Sequence, residues 1–157
     1  MKKNLLKMIH FQAMEEYPDE CCGVILGNPE NSDGDIVFRC ANIQNQLHAK
    51  DPKNFPRDAT TAFTIDPKDL FTIEKKKRTR GWNIKTFYHS HPEHDAYFSA
   101  EDKKMALSEW GDPWYPDATH LVVSVYNGVV QDQALFAWDP EKKVFEEQPK
   151  EPLQFNS

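Results

Sequence analysis

Two histidines stand two residues apart in His89-Ser90-His91-Pro92, and a carboxylate, Asp102, follows eleven positions after the second. On a strand, His89 and His91 project from the same face, because side chains alternate along an extended chain. Asp102 would then come from the first turn of a following helix that begins at Ser99. Two imidazoles and a carboxylate converging from a strand end and a helix start give three protein ligands and leave one position open. That is the donor set of a catalytic zinc site rather than a closed structural one.

Each residue also has a plainer reading. A histidine pair on a strand is often two polar groups on a half-exposed face. Ser99-Ala100-Glu101-Asp102 is a plausible helix start in which Ser99 caps and Asp102 completes a capping box. Capping and ligation are compatible, since a capped helix holds Asp102 still. Upstream, Glu20 lies in Tyr17-Pro18-Asp19-Glu20-Cys21-Cys22-Gly23, after a Pro-containing turn and before an apolar run. A water activated by a metal needs a base beside it, and a glutamate that does not occupy the metal suits that role. Taken alone, a glutamate at a strand entrance is an ordinary surface residue.

Taken together, Glu20, His89-x-His91-Pro92, Ser99 and Asp102 resemble the pattern of the JAMM (MPN+) metalloproteases. Seven residues separate His91 from Ser99 and two separate Ser99 from Asp102, so the pattern is matched without gaps. The stretch from His10 to Gly27 is similar to the opening of the small stand-alone prokaryotic branch, and the likeness runs from about residue 5 to residue 138. The resemblance implies an MPN fold, a cytidine deaminase-like α/β sandwich with a mixed sheet flanked by helices. It implies Zn2+ held by His89, His91 and Asp102, with Glu20 as general base and Ser99 as donor to the oxyanion. The implied substrate is a ubiquitin-like or sulfur-carrier protein cut after its C-terminal Gly-Gly, by processing or deconjugation. Phe55, Phe63 and the backbone of residues 58–64 are then candidates to hold the extended tail by strand addition, and His94 is a further candidate for substrate contact. Two other classes stay in view. His91-Pro92-Glu93 fits the H-x-E of zinc deaminases, but no P-C-x-x-C follows it. A metal-free MPN scaffold is the non-catalytic alternative.

The chain has 157 residues, 39% hydrophobic and 12% aromatic, enough for one compact core. Residues 1–145 read as a single domain and 146–157 as a Pro-rich tail. A net charge of −6 argues against nucleic acid as a partner. The basic run Lys75 to Arg80 reads as the solvated, C-terminal end of a helix. Cys21, Cys22 and Cys40 lack CxxC spacing, and an odd count without a secretory signal favours a reducing compartment. No run approaches a membrane span, so the expected setting is the cytoplasm, as a monomer or weak dimer.

The elements that must position these residues can be read in outline. Residues 5–16 have helical spacing, 21–27 form a buried strand, 28–34 a turn and 36–43 a second strand. Residues 44–60 carry Pro52 and Pro56 and read as a long loop, followed by a short strand at 61–65. Asp66 and Pro67 open a helix that runs to about Arg80. Residues 84–91 are the ligand strand and 99–109 the capped helix, with Trp110, Trp114 and Tyr115 packing the connection that follows. Asn127-Gly128 joins strands 120–126 and 129–138 as a hairpin. His48, His94 and His120 fall outside the ligand spacing, and His10, on the first helix, matches a position often occupied by histidine in the small branch that the sequence resembles.

Overall fold

Both histidines lie at the end of a strand in the interior of a sheet, and the rest of the fold is arranged around that strand end. The computed structural model describes residues 1–150. Helix α1 (Lys3–Glu16) precedes the hairpin β1 (Cys22–Asn28) and β2 (Asn31–Cys40). Helices α2 (Gln44–Lys50) and α3 (Pro67–Arg80) lead to β3 (Asn83–Pro92), and α4 (Ala100–Ala106) leads on to β4 (Thr119–Tyr126), β5 (Val129–Asp139) and β6 (Val144–Glu147). One mixed sheet results, in the order β2-β1-β3-β4-β5-β6. Only β3 and β4 pair in parallel, and the segment between them carries α4. The carboxyl end of a strand that feeds such a crossover is where open α/β sheets form crevices.

Alternation divides the core into two layers. Cys21, Ile25, Tyr88, Leu121, Val123 and Val125 pack against Leu5, Ile9 and Ala13 of α1. Cys22, Val24 and Leu26 face the other way and meet Ile73 of α3. Phe98 and Val122 continue that second layer towards β5. His89 and His91 therefore emerge on the α3 side, while Ser90 points to the α1 side, where its Oγ accepts from the Cys21 N–H at 2.8 Å. Helix α1 is tied to the strands by Gln12, whose Nε2 donates to the Cys22 carbonyl at 3.1 Å and whose Oε1 accepts from the buried Tyr88 hydroxyl. Helix α3 begins with the expected Asp66 cap and Pro67, and ends at Gly81, whose φ of 66° suits glycine. Its last turn holds Lys77, Arg78 and Arg80, where cations complement the helix dipole.

Several elements differ from the sequence expectation. The region 44–60 is not all loop, because Gln44–Lys50 forms α2. This helix is only seven residues long, too short to display an apolar period. Residues 61–65 do not form a strand; a single bridge joins Asn42 to Ile65. Helix α4 stops at Ala106, since Leu107 turns extended and bridges Pro113. Trp110 and Trp114 do not pack the connection and are 83% and 64% exposed, whereas Tyr115 packs on Phe87. Val144–Glu147 forms the edge strand β6 against β5, so residues 146 and 147 belong to the sheet. The remainder of the expected tail, from residue 151, lies outside the described residues. Among the described residues no helix is long and apolar enough to cross a membrane.

Gly23 lies opposite Tyr88 in the β1–β3 register. A Cβ there would collide with the Tyr88 ring and approach the Phe38 carbonyl oxygen to 2.6 Å. Gly23→Ala should therefore lower stability by about 1–3 kcal/mol, the usual range for overpacking. Urea unfolding would reveal it as a lower midpoint with an unchanged slope; an unchanged midpoint would contradict the close packing.

Candidate metal centre

His89 and His91 end β3, and Asp102 sits in the first turn of α4. The local chemistry of α4 places Asp102. Ser99 Oγ accepts from the Asp102 N–H at 3.0 Å, and the Ser99 N–H donates to Asp102 Oδ2 at 3.0 Å, the two halves of a capping box. The same Oδ2 faces His89 Nε2 at 3.1 Å and His91 Nε2 at 3.2 Å. The two Nε2 atoms are 3.0 Å apart. Three potential donor atoms thus form a nearly equilateral triangle, and all three residues are buried.

This arrangement fits a metal ion. Donors at about 2.0–2.2 Å from a tetrahedral zinc are separated by roughly 3.3–3.5 Å, so a spread of a few tenths of an ångström accommodates the ion. His91 Nδ1 donates to the Asp95 carbonyl at 2.9 Å, which commits the outer nitrogen to a proton and turns Nε2 inward as an acceptor. His89 is held by the Phe63 ring, stacked at a centroid distance of 4.6 Å. Burial lowers the His89 pKa. Burial also works to raise Asp102, but the facing imidazoles and the Ser99 N–H outweigh it and hold that carboxyl far below its usual range. A cation would take the place of the imidazole protons that face Asp102, and a neutral His89 and an ionised Asp102 are the forms that would offer it lone pairs.

Glu20 completes the floor of a cleft of about 870 Å³ that opens over these residues. One wall is the segment from Asn54 to Thr64, including Phe55 and Phe63; the other runs from His91 to Met105 and includes His94, Tyr97 and Ser99. Every residue expected at the site therefore lines this cleft except His89, which lies under Phe63 and lines an adjoining apolar cavity of about 260 Å³ with Asp102 and His120. His94 is tethered through Nδ1 to the Pro92 carbonyl at 2.9 Å, and its own carbonyl accepts from Ser124 Oγ. Sequence reasoning missed Arg57, Tyr97 and Glu101 on the cleft walls. No short-range pattern marks them, since the two walls meet only in the folded chain.

Glu93 does not enter the cleft. It is exposed and accepts from the Tyr17 hydroxyl and from the Asn127 N–H at 2.7 Å. The three cysteines are buried free thiols, and burial pushes Cys21 and Cys40 up to about 12. Neither the acid nor the thiolate ligands of a deaminase site are therefore present at this centre. Outside it, His10 is buried against Gln133 at 2.7 Å, His48 holds the Phe55 carbonyl at 2.7 Å, and His120 stacks on Phe87.

Residues 2–139 match the family described as prokaryotic homologs of the JAB domain. The chain belongs to this family. A curated relative within reach, named desampylase, comes from Haloferax volcanii and is 33% identical over 94 residues, 60% of this chain. The match spans 59% of that relative's length. A solution structure of a Desulfitobacterium hafniense protein superposes with a TM-score of 0.64 at 24% identity, covering 98% of this chain and 93% of that one. A Salinibacter ruber protein gives 0.59 at 22%, covering 98% and 94%. These likenesses extend the fold over nearly the whole chain, and the α/β architecture of a mixed sheet flanked by helices is the one expected of a JAB-type domain.

Glu20 is under electrostatic load in the metal-free protein. Burial, and then the negative charge of Asp102, push its carboxyl up to about 9, against a relieving pull from Arg57. The ordinary value is 4.5. Between the two values the native state holds a proton that the unfolded chain has released. Stability from this group is therefore full below about 4.5 and is lost as the pH rises towards 9. In chelator-treated protein, Glu20→Gln should raise the melting temperature by several degrees at pH 8, on the order of a few kcal/mol, and much less at pH 5. Scanning fluorimetry at the two pH values checks this, and an equal effect at both would place Glu20 in water.

Proposed function

We propose that the chain is a zinc-dependent peptidase or isopeptidase that hydrolyses the bond after the C-terminal Gly-Gly of a ubiquitin-like or sulfur-carrier protein. The observation that carries this reading is the triangle of His89, His91 and Asp102 donors, at 3.0–3.2 Å, with a buried glutamate beside it on the floor of a cleft. Likeness to desampylase supports the substrate class. Zinc, when bound there, supplies a Lewis acid that polarises an acyl oxygen and lowers the pKa of water to roughly 7.

The remaining work falls to this chain's own residues. Glu20 takes a proton from the attacking water and returns it to the leaving amine, so that one carboxylate serves as base and then acid. With His89, His91 and Asp102 holding a cation, the Asp102 charge would add less to the effect of burial on Glu20, which would favour the ionised base. The Ser99 hydroxyl accepts the Asp102 N–H, which leaves its own proton to donate into the cleft towards the developing oxyanion. The 62–64 wall suits strand addition. The Ala62 carbonyl is taken by Asn42 and the Thr64 carbonyl by Ile43. The Phe63 N–H and C=O between them make no hydrogen bond among the described residues. An extended tail laid along Phe63 would find one free donor and one free acceptor, as at a sheet edge. Phe55 and His94 flank that path.

The test is intact-mass analysis of sulfur carriers extended beyond Gly-Gly, and of a ubiquitin dimer, incubated with the purified protein with and without chelator. Chelator-sensitive cleavage after the second glycine is the expected result. Glu20→Gln should keep one zinc per chain and lose turnover, and His89→Ala or Asp102→Ala should lose zinc as well. Ser99→Ala should cost about 100- to 1000-fold in kcat, with a further loss of about 1 kcal/mol in stability from the missing cap. Full activity in Glu20→Gln would remove Glu20 from the mechanism. A protein that binds no zinc and cleaves nothing in the panel would favour the metal-free scaffold instead.

A further inference from the structure

Glu20 precedes β1, so neither of its peptide groups belongs to a ladder. They are held from elsewhere. The Glu20 N–H donates to the Ala59 carbonyl at 2.7 Å. The Glu20 carbonyl accepts from Asn42 Nδ2 at 2.9 Å. The same Nδ2 donates to the Ala62 carbonyl at 3.2 Å, and Oδ1 accepts from the Gln44 N–H at 3.0 Å and the Thr64 N–H at 3.0 Å. A carboxamide has two donors and two acceptor sites, and all four are used here, each on a backbone group.

The segment that receives these bonds is itself pinned. Gln44 is buried; its Nε2 holds the Arg57 carbonyl at 3.0 Å and its Oε1 accepts from Thr64 Oγ1 at 2.7 Å. Asn45 Oδ1 accepts from the Ala59 N–H at 2.8 Å. The polar side chains of α2, and of Asn42 two residues before it, thus fix the backbone of this segment at Phe55, Arg57, Ala59, Ala62 and Thr64.

We propose that Asn42 is a positioning residue that joins the backbone of Glu20 to the Ala62–Thr64 wall of the cleft, so that the acid–base carboxylate and the tail-binding edge are held in one frame. This rests on the reading of Glu20 as the acid–base group. Asn42 touches neither the donor triangle nor the cleft, so it acts only through Glu20 and the wall. A displacement of a catalytic group by about 1 Å can cost on the order of 100-fold in rate. The geometry asks for an amide specifically. An aspartate of the same shape keeps the two acceptor bonds and sets a carboxylate oxygen against the Glu20 and Ala62 carbonyls.

Two arms test this. In the first, Asn42→Asp is assayed on whichever extended carrier the wild-type protein cleaves. The expectation is a fall in kcat of about 10- to 100-fold with KM changed less than about threefold and zinc still one per chain; a general loss of fold would instead lower zinc content and active fraction together. In the second arm, amide hydrogen exchange is followed in chelator-treated wild type, Asn42→Asp and Asn42→Ala, without reference to activity. The Glu20 amide should exchange at least about tenfold faster in both variants while Val24 to Leu26 of β1 stay protected, and Gln44 and Thr64 should join it in Asn42→Ala. An unchanged Glu20 amide, or an unchanged kcat in Asn42→Asp, overturns the proposal. If the wild-type protein cleaves nothing, the hydrolase reading falls, and the exchange arm still decides whether Asn42 holds Glu20.

Discussion

One carboxylate oxygen, Oδ2 of Asp102, is the point on which the local structure turns. It accepts the Ser99 N–H in the capping box of α4 and faces two imidazole nitrogens from the end of β3. Burying an anion costs several kcal/mol unless it is paired or hydrogen-bonded. Here the partners come from two elements separated by a loop, so the strand end, the loop and the first turn of α4 must all be in place together. The capping and ligating interpretations of Ser99 and Asp102 are therefore one device. The cap aims the carboxylate, and the carboxylate completes the donor triangle.

The sheet supplies the rigidity that this device needs. β3 lies between β1 and β4, bonded on both sides, and its carboxyl end is where the parallel pair begins its crossover. Helix α1 is locked to the opposite face through Gln12, Tyr88 and the Cys22 carbonyl. Gly23 leaves room for the Tyr88 ring in that layer. Strand positions hold the two histidines with little freedom, which suits metal donors that must stay within tenths of an ångström. Glu20 lacks that ladder support, and its peptide groups are held instead through Asn42 and through Ala59, which Asn45 fixes in turn, so the placing of its carboxyl depends on a second, polar scaffold built from residues 42–45.

The two scaffolds differ in how they appear in a sequence. Apolar alternation and caps are local: the α1 spacing, the Asp66-Pro67 start, the Asn127-Gly128 hairpin and the strand that carries His89 and His91 all read correctly because neighbours in sequence carry the information. The polar scaffold is not local. Asn42 reaches residues 20, 62 and 64, and nothing in the surrounding letters distinguishes it from any other asparagine after a strand. For the same reason α2 reads as loop. Its side chains point at backbone groups of a distant segment rather than at an apolar core. β6 is missed because four residues give too short an alternation.

The sequence by itself determined the residue types that can hold a divalent cation, their spacing, and the capped helix start that carries one of them. Those features depend on strand and helix periodicity, which act over a few residues. Only the tertiary structure decided that Glu20 reaches the same floor as Asp102, that Phe63 stacks on His89, and that Glu93 faces away from the cleft. These are contacts between segments remote in the chain, fixed by how the two core layers and the pinned 55–64 wall close around the end of β3.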